Sequence, residues 1–409
     1  MRGLRNIILI AVGILAVLYI LSLFSVTNRK ETVIATHPRG GGFAGPESCL
    51  NCHTDITRQH QQTPHARSSA LASKESILGS FEPGHNIYQF NTRDRVEMQA
   101  TDTGLYQVGY SGDRWRGSSR IDLVIGSGTK GQTFLGWQGS KLIQLPVSYL
   151  RPEDSWSSSP GNPPDRFVIN RPVTAGCLNC HMTHAEVVPI MNQPPDIRKE
   201  QMLLGISCER CHGPSAEHVR LQSTGNTAQR AQGVVNPKQL SRQLQLDICA
   251  QCHSGTRTSR LAAFNFLPGD SLSREIMSLN SLDTSSVEVH GNQYDLLAAS
   301  RCFLQSDMTC SSCHNPHQPE RGNKALFSSR CISCHGGGDE KHRVCKLDAS
   351  MGQAIRNNCI DCHMPVRASK KIQMSTGQGK GLTSELARTH FISIYPAESR
   401  KILSLLEKL

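Results

Sequence analysis

The stretch Cys49-Leu50-Asn51-Cys52-His53 packs two thiols and an imidazole into five residues, and the same spacing returns six more times. The further copies are Cys177/Cys180/His181, Cys208/Cys211/His212, Cys249/Cys252/His253, Cys310/Cys313/His314, Cys331/Cys334/His335 and Cys359/Cys362/His363. A chain of 409 residues with 16 Cys and 17 His would hold about 0.03 such pentapeptides by chance. Cys-x-x-Cys-His is the attachment signature of c-type haem. Two thiols three positions apart can add to the two vinyl groups on one edge of a flat macrocycle. The next residue then swings an imidazole under the iron as an axial ligand. Structural zinc also takes Cys-x-x-Cys pairs but does not demand a histidine after each, and a disulfide framework demands none. The spacing therefore predicts seven covalently attached haem c groups, held by fourteen cysteines, with seven motif histidines on the irons.

An electron-transfer haem takes a second strong axial ligand, and ten further histidines are available. His65, His184, His218, His290, His317 and His390 are the candidates, with His37, His60, His85 and His342 behind them. His184 and His317 each follow a motif histidine by three residues. That is too close to reach the far side of their own iron, so they point to a neighbouring haem. Met182, Met308 and Met364 lie beside attachment sites and are read as packing residues. The two cysteines outside the motifs, Cys302 and Cys345, are expected to bridge if the compartment is oxidising.

These sites need elements to position them. The twenty residues Ile7 to Val26 carry no charge, enough for a membrane-spanning helix, with a cleaved signal peptide as the alternative reading. Arg2 and Arg5 before it favour a cytoplasmic N-terminus. The expectation is one N-terminal transmembrane anchor in a bacterial inner membrane, with the bulk of the chain periplasmic. Hydrophobic residues are 37% and aromatics 5%, thin for a chain of this length, so the haems are expected to replace much of a side-chain core. The formal charge of +11 does not argue for nucleic acid. Fourteen propionates outweigh it, and with seven ferric irons the oxidised protein returns to about +4.

Motif spacing divides the chain into an anchor (1–30), a first haem segment (31–80), a haem-free insert (81–169), a six-haem block (170–395) and a C-terminal amphipathic helix (396–409). The insert carries short β-branched and aromatic runs separated by Gly and turn pairs, and reads as β-rich. Within the block, short helices are expected, one of them capped by Asp196 over DIRKEQMLLGISC. Ile402, Leu405, Leu406 and Leu409 share one face of the last helix. The fold class is thus a mainly α and irregular multihaem cytochrome fold organised around stacked haems, with a β-rich insert and one transmembrane helix.

The phrases CHGPSAEH, MTCSSCHNPH, CIDCHMP and QQTPHARS resemble multihaem cytochromes related to the tetrahaem electron-transfer cytochrome of ammonia oxidisers. More distantly they resemble hydroxylamine oxidoreductase and pentahaem nitrite reductase. The resemblance covers 49–68 and 170–395. It implies that His65, His218 and His317 are distal ligands and that haems stack in parallel and perpendicular pairs. All seven motifs end in His, whereas the nitrite reductases typically carry Lys at the catalytic haem. The hydroxylamine oxidoreductases typically have eight haems and a crosslinked tyrosine.

Three functions fit. The first is an electron conduit between redox partner proteins, a quinol oxidase or other cytochromes, with no catalytic residues of its own. The second is a reductase or oxidase of a small nitrogen or sulfur compound at one five-coordinate haem. The third is a subunit that docks a partner through its β-rich insert.

Overall fold

The structure, a computed structural model, describes residues 34–224, 232–255, 262–272, 288–336 and 352–406, together with Asn6, Gly13 and Cys345. Two antiparallel sheets dominate the segment from 69 to 172. The first has four strands, Ile87–Gln89, Asp94–Thr101, Gly104–Ser111 and Arg114–Arg120, in that spatial order. Its hairpins close over Asp102-Thr103 and Gly112-Asp113. Two-residue loops need positive φ, and Gly112 supplies φ +59°. The second sheet orders Ser155–Ser158, Val147–Leu150, Gly131–Gln138, Lys141–Gln144 and Arg171–Pro172, and Leu123–Ile125 pairs with both Ser69–Leu71 and Gly131–Gln138.

Strand alternation turns Tyr88, Val96, Met98, Phe134, Leu145 and Trp156 inward to form the largest apolar cluster. Phe134 and Met98 are fully buried, each worth about 2–3 kcal/mol of transfer free energy. A second cluster joins this layer to the attachment sites. Leu123, Leu135 and Leu142 of the sheet pack with Leu178, Met182, Ile197 and Phe264. The helix Ala175–His181, which carries the second CLNCH motif, is seated there.

Two long hairpins correct the expectation of a mainly α fold. Met182–Ile190 pairs antiparallel with Gln193–Leu204, and Val366–Ser375 with Leu382–Arg388. Strand and helix therefore take comparable shares of the described chain. Asp196 caps no helix. It sits inside a twelve-residue strand and accepts Ser140 Oγ at 2.6 Å. Val187, Val188 and Ile190 opposite it are β-branched and find cross-strand partners, which outweighs a local capping signal.

The expected membrane anchor is also corrected. No helix among the described residues is long and apolar enough to cross a membrane. The longest have twelve residues, about 18 Å against a hydrocarbon core of about 30 Å. The segment 7–26, Gly13 aside, lies outside the described residues. Single-helix anchoring, and the inner-membrane placement that rested on it, are not carried further.

Candidate haem-binding sites

Each motif lies on a short helical element, and several of these end on the motif histidine: Ala175–His181, Cys208–His212, Arg242–His253, Lys324–His335 and Cys359–His363. The first and fifth sites take a five-residue helix, Pro46–Leu50, followed by a turn, and a 3-10 turn, Cys310–Ser312. There, His53 N donates to Cys49 O at 2.8 Å and His314 N to Cys310 O at 2.9 Å. One helical turn brings positions i, i+3 and i+4 to one face, so both thiols and the imidazole point the same way.

Three of the spare histidines face motif histidines. The His212 and His317 ring centres are 6.2 Å apart and near parallel, 23° between planes. His314 and His390 are also 6.2 Å apart, at 27°. His65 and His253 are 6.0 Å apart at 71°. Two imidazoles on opposite sides of one metal, with bonds of about 2 Å and about 1.1 Å from nitrogen to ring centre, stand about 6.2 Å apart. The residues fit a bis-histidine iron at these three sites.

Hydrogen bonds at the other ring nitrogen agree. A ligating histidine holds its other ring nitrogen on an acceptor. His212 Nδ1 lies 2.8 Å from Val235 O, His253 Nδ1 3.0 Å from Gln293 Oε1, and His363 Nδ1 2.9 Å from Ser393 O. His390 Nδ1 is 3.3 Å from Arg388 O. In each case Nε2 is the nitrogen left to face a metal. Enclosure by the protein, with neighbouring histidines adding to it, pushes His65 and His390 down to about 4, so both rings are neutral and able to bind.

The remaining candidates divide. Burial, then the nearness of His290, holds the pKa of His181 down, which brings the second site and this residue together. His218 is half-buried and turns Nδ1 to Gln232 O at 3.0 Å, with no ring contact to a motif histidine. His184 is not brought opposite a motif histidine. It is 1% exposed, stacked on Phe43 at 4.9 Å and edge-on to Phe264 at 5.5 Å. His60, ranked low from sequence, lies beside His212 and His317, whose charges together with burial hold its pKa down. His85 is exposed, and His342 lies outside the described residues. Met182 is fully buried in the second cluster, as a packing residue.

The attachment thiols of different sites meet. The thiols of Cys49 and Cys208, Cys180 and Cys252, and Cys249 and Cys310 lie close enough to shift one another. In each pair the contact pushes one thiol up and its partner down; Cys208 falls to about 7 and Cys252 to about 6. Cys211 is raised to about 11, by burial and then by Cys252. Cys331 is raised to about 12, by burial and then by Cys359. Cys313 senses both Cys302 and Cys334. The expected Cys302–Cys345 bridge is absent: both thiols are free, and Cys302 sits among the thiols of the fifth and sixth sites.

Two buried charged residues escaped the sequence reading. Glu209, inside CERCH, is 3% exposed. Its carboxylate accepts Ala44 N, Gly45 N and Ser215 N, each at 2.9 Å, and Ser215 Oγ at 2.7 Å. Arg210 donates to the O and Oδ1 of Asn179, both at 2.8 Å, so it ties the third motif to the second. They occupy the two variable motif positions, where nothing in the pentapeptide signals a role.

Comparison with known proteins agrees with this chemistry. Residues 166–213 match the family described as cytochrome c554 and c-prime. The multiheme cytochrome MtrA of Shewanella baltica (strain OS185) is 25% identical over 180 residues, 39% of this chain and 51% of that one. The chain thus spans about half the length of that relative. Among solved structures, the outer cell wall cytochrome OcwA superposes with a TM-score of 0.55 at 17% identity, covering 88% of this chain and 81% of that one. That likeness is one of fold.

Proposed function

We propose that this multihaem c-type cytochrome is a seven-haem electron conduit that passes charge between other redox proteins, cytochromes among them. The observation that carries the reading is the packing of the motif-bearing elements on one another. Pro46–Leu50 packs on Cys208–His212, both Ala175–His181 and Cys310–Ser312 pack on Arg242–His253, and Lys324–His335 packs on Cys359–His363. Arg210 ties the third motif to Asn179 of the second, Cys211 packs on the cluster of Ile248 and Ala250 beside the fourth, and Arg330 Nη1, next to the sixth motif, donates to Cys313 O of the fifth at 2.6 Å. Each site thus has another beside it.

Bound haem supplies an iron that takes up and gives back one electron. The chain's own residues do the rest. The motif cysteines would hold each haem covalently, and the facing pairs His212/His317, His253/His65 and His314/His390 would ligate the irons of the third, fourth and fifth sites. Two imidazoles on an iron leave no position for a small substrate, which favours conduction over catalysis at those sites. We read the likeness to cytochrome c554 as kinship with the electron-transfer cytochromes of that kind. We assign His290 to the second site, on its nearness to His181.

The test is a spin-state spectrum of the holoprotein with a haem count per chain. Seven haems, with the third, fourth and fifth low-spin and indifferent to cyanide, are expected. Replacing His317 by Ala turns one haem high-spin and cyanide-reactive. Fewer than seven haems, or a H317A spectrum identical to that of the parent, contradicts the reading.

A further inference from the structure

The anchored histidines described above give their second ring nitrogen neutral acceptors: the carbonyls of Val235, Gln232, Ser393 and Arg388, and the Gln293 amide. His290 differs. Its Nδ1 lies 3.1 Å from Oε2 of Glu385, a carboxylate whose side chain is 6% exposed. The other oxygen, Oε1, takes Lys130 Nζ at 2.9 Å. Lys130 immediately precedes the strand Gly131–Gln138 of the large sheet, while Glu385 lies on the hairpin strand Leu382–Arg388. Lys130 also donates to Leu386 O. The His290 loop is fixed from the other side by Glu288, whose carboxylate accepts the backbone N–H groups of His290 and Lys370, each at 2.8 Å.

We infer that Glu385 is a positioning residue that lowers the reduction potential of the haem at the second site through His290, and that Lys130 opposes it. The inference rests on reading His290 as the ligand opposite His181. A ring N–H held by a carboxylate makes the imidazole a more electron-rich ligand, and hydrogen bonding beyond the ligand is one of the protein's means of setting haem potential. A fixed negative charge close by also favours the ferric over the ferrous state, and burial keeps solvent from screening it. Lys130 draws charge from the same carboxylate and adds a positive charge near the iron, so its effect has the opposite sign. The sheet layer thereby gains a role besides covering: a lysine at its edge sets the potential of the second site.

The experiment is a potentiometric titration of the holoprotein followed by haem absorbance and electron paramagnetic resonance, with Glu385→Gln, Lys130→Gln and His290→Ala. Gln at 385 keeps an acceptor for Nδ1 and removes the charge. One haem is expected to move to higher potential in E385Q, and the same haem to lower potential in K130Q, with the other six unmoved. A merely structural contact would not give shifts of opposite sign at one haem. In H290A that haem becomes high-spin. If H290A leaves every haem unchanged, the ligand assignment fails. If H290A alters one haem but E385Q and K130Q move nothing, or move it the same way, the tuning inference alone is overturned.

Discussion

His184 is buried near His37 and Arg210, and neither of its ring nitrogens has a hydrogen-bond partner among the described residues. Burial, then the charges of His37 and Arg210, push it down to about 4. The sign of its linkage follows directly. The folded ring is neutral, and the unfolded ring gains a proton below about 6.5. Stability is therefore whole above that pH and is lost as pH falls towards 4, by about 3 kcal/mol at the lower limit. Thermal melts of the holoprotein between pH 7 and 4.5 check this: His184→Gln should flatten the acid loss relative to the parent. The pentapeptides were legible because their chemistry is written in consecutive residues. The distal ligands were legible only in part. His317 and His184 stand in the same relation to their motifs, three residues on, yet one faces His212 and the other Phe43. That choice is made by tertiary packing, which the local spacing does not encode.

At the scale of elements, the strand-rich run from 87 to 150 was readable from β-branched and aromatic residues between glycines, because strand alternation is a local signal. The hairpin 182–204 was not. Its strand stretch contains KEQMLL, a helix-favouring composition, and its sheet pairing is paid for by contacts distant in sequence. Gly205, just after that hairpin's second strand, has φ +67°, and a Cβ there would meet Ala66 O at 2.2 Å. The next residue, Ile206, donates its N–H to His65 O at 2.9 Å. Gly205→Ala is expected to cost about 2–3 kcal/mol and to disturb the fourth site, where His65 faces His253. A lowered melting temperature together with a partly high-spin fourth haem checks it. Glu209 is the other joint, binding the segment before the first motif to the third. Glu209→Ala strands three buried N–H groups and should destabilise by about 3 kcal/mol or more. Denaturant midpoints of the holoprotein measure it, and a change under 1 kcal/mol contradicts it.

At the scale of the whole molecule, the packing of the motif elements makes the fourth site the crossing point between the first three sites and the last three. Replacing Cys249 and Cys252 by Ala removes its attachment. The first, second and third sites should then lose fast exchange with the fifth to seventh. Stopped-flow reduction, slowed to two phases in the variant and single in the parent, checks this. The apolar clusters are spread unevenly over the same structure. Ile77, Tyr88, Phe134, Trp156 and their neighbours form the largest. Around the helix Arg242–His253 the buried cluster is Ile248, Ala250, Phe266 and Leu272, too little to hold a segment of that length by itself. A newly made chain awaiting porphyrin would thus be half-built, with a firm sheet body trailing a soft tail. Proteases meeting it at that stage should trim the tail and leave the sheets, so the supply of cofactor, more than the sequence's own folding, decides how much whole protein a cell keeps.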